Sequence, residues 1–153
     1  MTALYAPAQQ VTTVSDPGAE QTDSFFLTGG VAAHAVVETP PETAGWFVAT
    51  GGATDWVPDN AHPTCRIGLG YATSAGNRDT VGGAQRGHGP LQGFESEVTT
   101  TYALGPFAPG PRNLYFQFAS DAAGKTCGLR ERSLTVLFVP YDWIGRPPAG
   151  YIS

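Results

Sequence analysis

Cationic charge is scarce in this sequence. Of 153 residues only eight are Lys or Arg, and none precedes Arg66. With a formal net charge of −5 and no basic run, the chain lacks the electrostatic footprint that phosphate contacts require, so nucleic acid is not an expected partner. Long apolar runs are missing as well. Nothing approaches the roughly 20 residues that a membrane-spanning helix needs, and no membrane partner is expected. Residues 1–10 contain neither a basic segment nor an apolar core of the kind a secretory signal has. The expectation is therefore a chain made in a cytoplasm without a signal peptide. Cysteine is limited to Cys65 and Cys127, 62 positions apart with no CxxC spacing, which argues against a metal site. Two reduced, buried thiols suit a reducing compartment, and a disulfide suits later exposure to oxidising surroundings.

Helical periodicity is also absent: no segment of ten or more residues repeats its apolar positions at 3.6. What the chain has instead is 20 Gly and 13 Pro against 14% charged residues, with 3 Trp, 6 Tyr and 8 Phe. That mixture favours short strands and turns, and so many aromatics argue for a core rather than a disordered tail. Charge is unevenly spread. The first 65 residues hold seven acids and no Lys or Arg, whereas the remainder holds eight cations against six acids. Such asymmetry helps copies of a domain meet in one orientation if folding keeps the halves apart, and has no such effect if folding interleaves them.

Turn signals divide the chain into about eight short strand-like segments, at residues 11–14, 25–27, 31–37, 46–50, 66–73, 94–104, 114–118 and 133–139. Gly29-Gly30 and Gly51-Gly52 read as turns. Ile67, Leu69 and Tyr71 share one face, opposite Gly68 and Gly70, as in a strand with something packed closely on it. Leu114, Phe116 and Phe118 likewise share a face. The run Ser133-Leu134-Thr135-Val136-Leu137-Phe138-Val139 predicts a central strand buried on both faces. Residues 74–93, rich in Gly, Asn and Arg, predict a long loop that is a candidate for function or for subunit contact. The resulting expectation is an all-β antiparallel β-sandwich of jelly-roll type. An extended N-terminal arm occupies residues 1–10, the sandwich 11–145 and a tail 146–153.

Reactive constellations do not emerge. His34, His62 and His88 lie in separate regions, and none stands at ligand spacing from another. His34, inside an apolar strand, reads as a structural histidine. Ser74, Ser96 and Ser133 lack the Gly-x-Ser-x-Gly elbow. Glu95 and Glu97 share a strand face as glycosidase carboxylates would, but such a pair is more often a solvated strand face. Asp55, Asp59 and Asn60 read as one loop whose spacing matches no EF-hand pattern, and a surface loop explains them equally well. The glycine-rich pieces lack the Lys of a phosphate loop. No catalytic residue, cofactor or metal is expected, and the chain is read as a non-enzyme. Contact with a partner falls to Leu4 and Tyr5 in the arm, Trp56, His88, Phe107, Tyr141 and Trp143, mostly large aromatics beside turns.

The segments Gly110-Pro111-Arg112-Asn113-Leu114-Tyr115-Phe116-Gln117 and Gly128-Leu129-Arg130-Glu131-Arg132-Ser133-Leu134-Thr135-Val136-Leu137-Phe138-Val139-Pro140 resemble the closing strands of trimeric jelly-roll domains. Phe25-Phe26-Leu27-Thr28-Gly29-Gly30-Val31 and Glu97-Val98-Thr99-Thr100 are similar to segments of small phage-associated β proteins. The resemblance is to structural proteins of tailed-phage virions, capsid decoration or cement proteins, and to tumour-necrosis-factor-like modules. It implies a homotrimer that sits on a major capsid protein at the virion surface. Assembly in the cytoplasm and release by lysis would account for a missing export signal. The competing expectation is a carbohydrate- or receptor-binding β-sandwich, a lectin-like module or tail-fibre head, that takes a glycan through Trp56, Trp143 and neighbouring loops.

Overall fold

The computed structural model describes residues 11–15, 19–21, 30–39, 44–56, 65–72, 78–86, 96–120, 124 and 126–140, with side chains described at 30–39, 44–55, 65–72, 97–120, 124 and 126–140. These residues form nine strands: β1 (Val11–Ser15), β2 (Ala19–Gln21), β3 (Gly30–Glu38), β4 (Gly45–Trp56), β5 (Cys65–Ala72), β6 (Arg78–Arg86), β7 (Ser96–Phe107), β8 (Pro111–Ser120) and β9 (Cys127–Pro140). Sheet A has the order β1-β9-β4-β7, with β2 also on β9, and sheet B has the order β3-β8-β5-β6. Every pairing is antiparallel. Apart from β1 to β2 and β5 to β6, each successive strand passes to the opposite sheet. If β1 and β2 count as one interrupted edge strand, this is an eight-stranded jelly roll, two Greek keys wrapped face to face.

Alternation of side chains explains which face of each strand is buried. Ile67 and Leu69 of β5 and Leu114, Phe116 and Phe118 of β8 point inward, as their spacing predicts, and meet Phe47 of β4 and Leu129, Leu134, Val136 and Phe138 of β9. Each such side chain contributes about 1.5–3 kcal/mol on burial. The rings are tilted against one another: Phe47 lies 5.8 Å from Phe107 and 5.3 Å from Phe138, and Tyr71 meets Phe107 edge-on at 5.3 Å.

Several sequence expectations require correction. β4 does not stop at Gly51-Gly52 but runs through both, paired with β7 on one side and β9 on the other, and a Cβ on Gly51 would lie 2.6 Å from Cγ of Phe116 in the facing sheet. That glycine is therefore a site of close sheet-to-sheet approach. Residues 78–86, expected within a loop, form β6, which pairs with β5 through two register shifts. An irregular edge strand needs little apolar periodicity, so its sequence reads as loop. β9 is central, between β1 and β4, but only alternate residues are buried; Leu137 is 37% exposed. Its apolar run thus serves one buried face and one open face. Gly30 opens β3 rather than standing in a turn, and the expected strand at 25–27 lies outside the described residues.

Two polar devices hold the ends. Thr39, after β3, donates its N–H to Gly110 O at 3.3 Å and accepts from Gly110 N–H at its Oγ1 at 2.8 Å, tying sheet B to the turn before β8. Gly110 has φ of 131°, a conformation that favours glycine. Arg112 donates through Nη2 to Ala108 O at 3.3 Å and lays its guanidinium 5.5 Å from the centre of the Phe107 ring.

Cys65 and Cys127 form a disulfide, with Cα atoms 5.4 Å apart, and both are fully buried. This replaces the reduced-thiol reading. The bond joins the first residue of β5 in sheet B to the first residue of β9 in sheet A, across one end of the sandwich. By the chain-entropy account a loop of 62 residues gives about 4 kcal/mol. We therefore expect Cys65→Ser/Cys127→Ser to lower the urea midpoint by an amount equivalent to roughly that figure. Identical denaturation curves for oxidised wild type and the double variant would contradict a stapling role.

Candidate functional site

The outer face of sheet A is laid out in rows by the strand register. At one end Trp46 stands opposite Val139, and next to it Ala103, Val48 and Leu137 line up across β7, β4 and β9. The middle row is Thr101, Thr50 and Thr135, with the Thr50 and Thr101 hydroxyls 3.0 Å apart and hydrogen-bonded. Beyond it come Thr99, Gly52 and Ser133, then Glu97, Thr54 and Arg130. The face therefore grades from apolar to hydroxylic to charged along a single set of strands.

A hollow lies at the polar end. Gly52 has no side chain between Thr99 and Ser133, and an open depression of about 200 Å³ results, lined also by Ala53, Thr54, Glu97 and Glu131. Ser133 Oγ donates to Gly52 O at 3.4 Å, so its hydroxyl is engaged with backbone. Thr54 Oγ1 donates to Glu131 Oε2 at 3.0 Å. Glu131 reaches this place because β9 bulges: Gly52 pairs with Ser133 and Thr54 with Arg130, which leaves Glu131 and Arg132 opposite Ala53 alone. Its φ is 48°, in the left-handed region that a non-glycine residue adopts at a cost of about 1–2 kcal/mol. The bulge turns Glu131 outward while Arg132 is buried. Two carboxylates with threonine and serine hydroxyls make a lining that can hydrogen-bond hydroxyl groups or attract a cation.

The residues singled out from sequence do not gather here. Phe107 is 0% exposed, packed on Phe47 and Tyr71 beneath Arg112, so it is a core residue rather than a partner contact. Trp56 closes β4 opposite Gly128. Leu4, Tyr5, His88, Tyr141 and Trp143 lie outside the described residues, as do His62, Glu95, Asp59 and Asn60. Asp55 is fully buried on β4, not in a loop. His34 is exposed on the outer face of sheet B, where Nε2 is 2.9 Å from Asn113 Oδ1 and its ring stacks on Tyr115 at 4.8 Å. Of the carboxylates considered, Glu97 is on the site, and the structure adds Glu131, which sequence reasoning passed over. Its signal was the charged triplet Arg130-Glu131-Arg132 interrupting an apolar strand. Among the described residues no three His, Cys, Asp or Glu side chains form a group that could hold a metal ion.

Comparison with known proteins adds the fold. No family model and no curated protein matches the chain. Solved structures of infectious bursal disease virus do. The VP2 subviral particle is similar over 86% of this chain with a TM-score of 0.58 and 12% identity, and the T=1 particles derived from that virus over 86% with a TM-score of 0.59 and 11% identity. The T13 viral particle gives a TM-score of 0.57 at 10% identity. This chain spans about a third of the length of those capsid chains, 31–32%. At such identities the likeness is one of architecture: a jelly-roll β-sandwich of the kind found in a viral capsid protein.

The bulge makes a prediction that separates it from an ordinary strand position. Glu131→Gly and Glu131→Ala both remove the carboxylate, but only glycine fits φ of 48° without strain. We expect the glycine variant to be the more stable by about 1 kcal/mol in chemical denaturation, the reverse of the usual strand order. An alanine variant as stable as the glycine one would show that Glu131 is not held in that conformation.

Proposed function

We propose that this domain is a structural component of a virion, a capsid decoration protein that binds the outer shell and stabilises it without catalysing a reaction. The observation that carries the reading is the architectural match, over most of the chain, to a capsid protein in its particle forms. A sandwich stapled between its sheets and carrying a wide open outer face suits a protein that grips a surface. In this reading the partner is a major capsid protein, the host is a bacterium infected by a tailed phage, and the working form is the homotrimer implied by the resemblance of the closing strands.

A second reading has one observation in its favour, the hollow at Gly52 with its two carboxylates and hydroxyls. Such a lining suits the hydroxyls of a glycan, and a carbohydrate- or receptor-binding module would use it together with Trp56 and Trp143.

Purified protein added to expanded capsids that lack it tests the first reading. The expected result is saturable uptake at a fixed number of copies per capsomer, with a higher temperature of shell disruption. No uptake, combined with glycan-array binding that Glu97→Gln and Glu131→Gln abolish, would replace it with the second.

A further inference from the structure

The edges of the two sheets are not alike. The register of the β1–β2 edge on β9 shifts between Ser15↔Arg132 and Ala19↔Leu129, the β3 edge carries a register shift between Val31 and Ala33, and the β6 edge carries two shifts and the charges of Arg78, Asp79 and Arg86. Interruptions, bulges and charges are the usual means by which an exposed edge is kept from pairing with another chain. The β7 edge has almost none of them. From Phe47↔Leu104 to Asp55↔Ser96 its register with β4 is unbroken over nine residue pairs, and the run 96–104 contains no proline and one charge, Glu97. Among the described residues no strand lies beyond it. Glu97, Thr99, Thr101 and Ala103 are exposed, and Tyr102 is 41% exposed although it belongs to the inward row.

We infer that β7 pairs with β7 of a second copy of this chain, antiparallel about a two-fold axis, so that sheet A continues across the contact. The register with the fullest overlap is also self-complementary. A two-fold axis normal to a sheet keeps each face on its own side, so opposed residues must both be even-numbered or both odd. Centring the axis on Thr100 overlaps the whole unbroken run 96–104. Val98 then faces Tyr102 on the inner side, a β-branched and aromatic pair of the kind that stabilises antiparallel strands. Thr99 faces Thr101 on the outer side, hydroxyl to hydroxyl. The edge's one charge, Glu97, faces Ala103 instead of its own copy, so pairing opposes no like charges. Beyond the run, Gly105 with φ of 125° and Pro106 end the regular edge. The contact is isologous and does not depend on the virion reading. In a homotrimer it would join one trimer to the next.

Sedimentation of the full chain up to about 100 µM tests this, a concentration that reads any dissociation constant in the micromolar range. Wild type is expected to form assemblies whose mass doubles with concentration. Thr99→Lys/Thr101→Lys, which opposes lysines across the axis, is expected to weaken that step at least tenfold with its far-ultraviolet spectrum unchanged, its melting temperature falling only by the loss of the exposed Thr50–Thr101 hydrogen bond. Mixing it with Thr99→Glu/Thr101→Glu sets Lys against Glu at both outer-face pairs beside the axis in this register and is expected to restore pairing. The inference is overturned if wild type shows no doubling, if the lysine variant associates like wild type, or if the mixture fails to pair. Failure here leaves capsid uptake unaffected, and failure of uptake leaves the doubling unaffected.

Discussion

The structure depends on how closely sheet A can approach sheet B at Gly51. The Phe116 ring of β8 comes down on the backbone of β4 where that glycine has no Cβ, and any side chain there would have to displace the ring. Around this contact the inward rows of β4, β5, β8 and β9 interlock, with Phe47, Ile67, Leu69, Leu114 and Leu134 all but excluded from water. The same logic acts within each sheet, since Gly30 lies under the ring of Phe118 and Gly45 under that of Phe138. Glycine weakens a strand by itself, and a neighbouring ring restores the lost packing. The disulfide from Cys65 to Cys127 fixes one end of the sandwich, and the reciprocal hydrogen bonds of Thr39 and Gly110 tie β3 to the turn before β8.

Much of this was legible from local pattern. Alternation identified the inward faces of β5 and β8, and turn residues delimited most of the strands. What local pattern could not convey was any feature set by a distant partner. Gly51-Gly52 has turn composition, yet pairing with β7 and β9 makes it strand, and Phe116, 65 positions later, is what requires glycine at 51. Residues 78–86 became a strand through β5, despite a sequence with little apolar content. Whether Cys65 and Cys127 meet depends on which strands begin beside each other, a property of topology rather than of spacing. Phe107 looked like a surface aromatic because it stands between prolines, yet the end of β7 turns it into the core.

The candidate site was less legible still. The hollow needs a glycine on β4, a glutamate on β7 and a bulged glutamate on β9, brought together by pairings that no short motif encodes. Only the Arg130-Glu131-Arg132 interruption hinted at the bulge. The fold itself, shared with a capsid protein at 10–12% identity, shows how weakly a jelly roll constrains its sequence. A rigid core leaves outer faces and edges free to vary, and in such a domain those surfaces carry the function.

The central claim is that the two sheets form one cooperative unit closed at the Gly51–Phe116 contact. Native-state amide hydrogen exchange tests it most directly. The account predicts that the central amides of β4 and β9 in sheet A and of β5 and β8 in sheet B share one opening free energy, equal to that of global unfolding. If one sheet exchanges through an opening that leaves the other protected, the sheets are independent layers and the account is wrong.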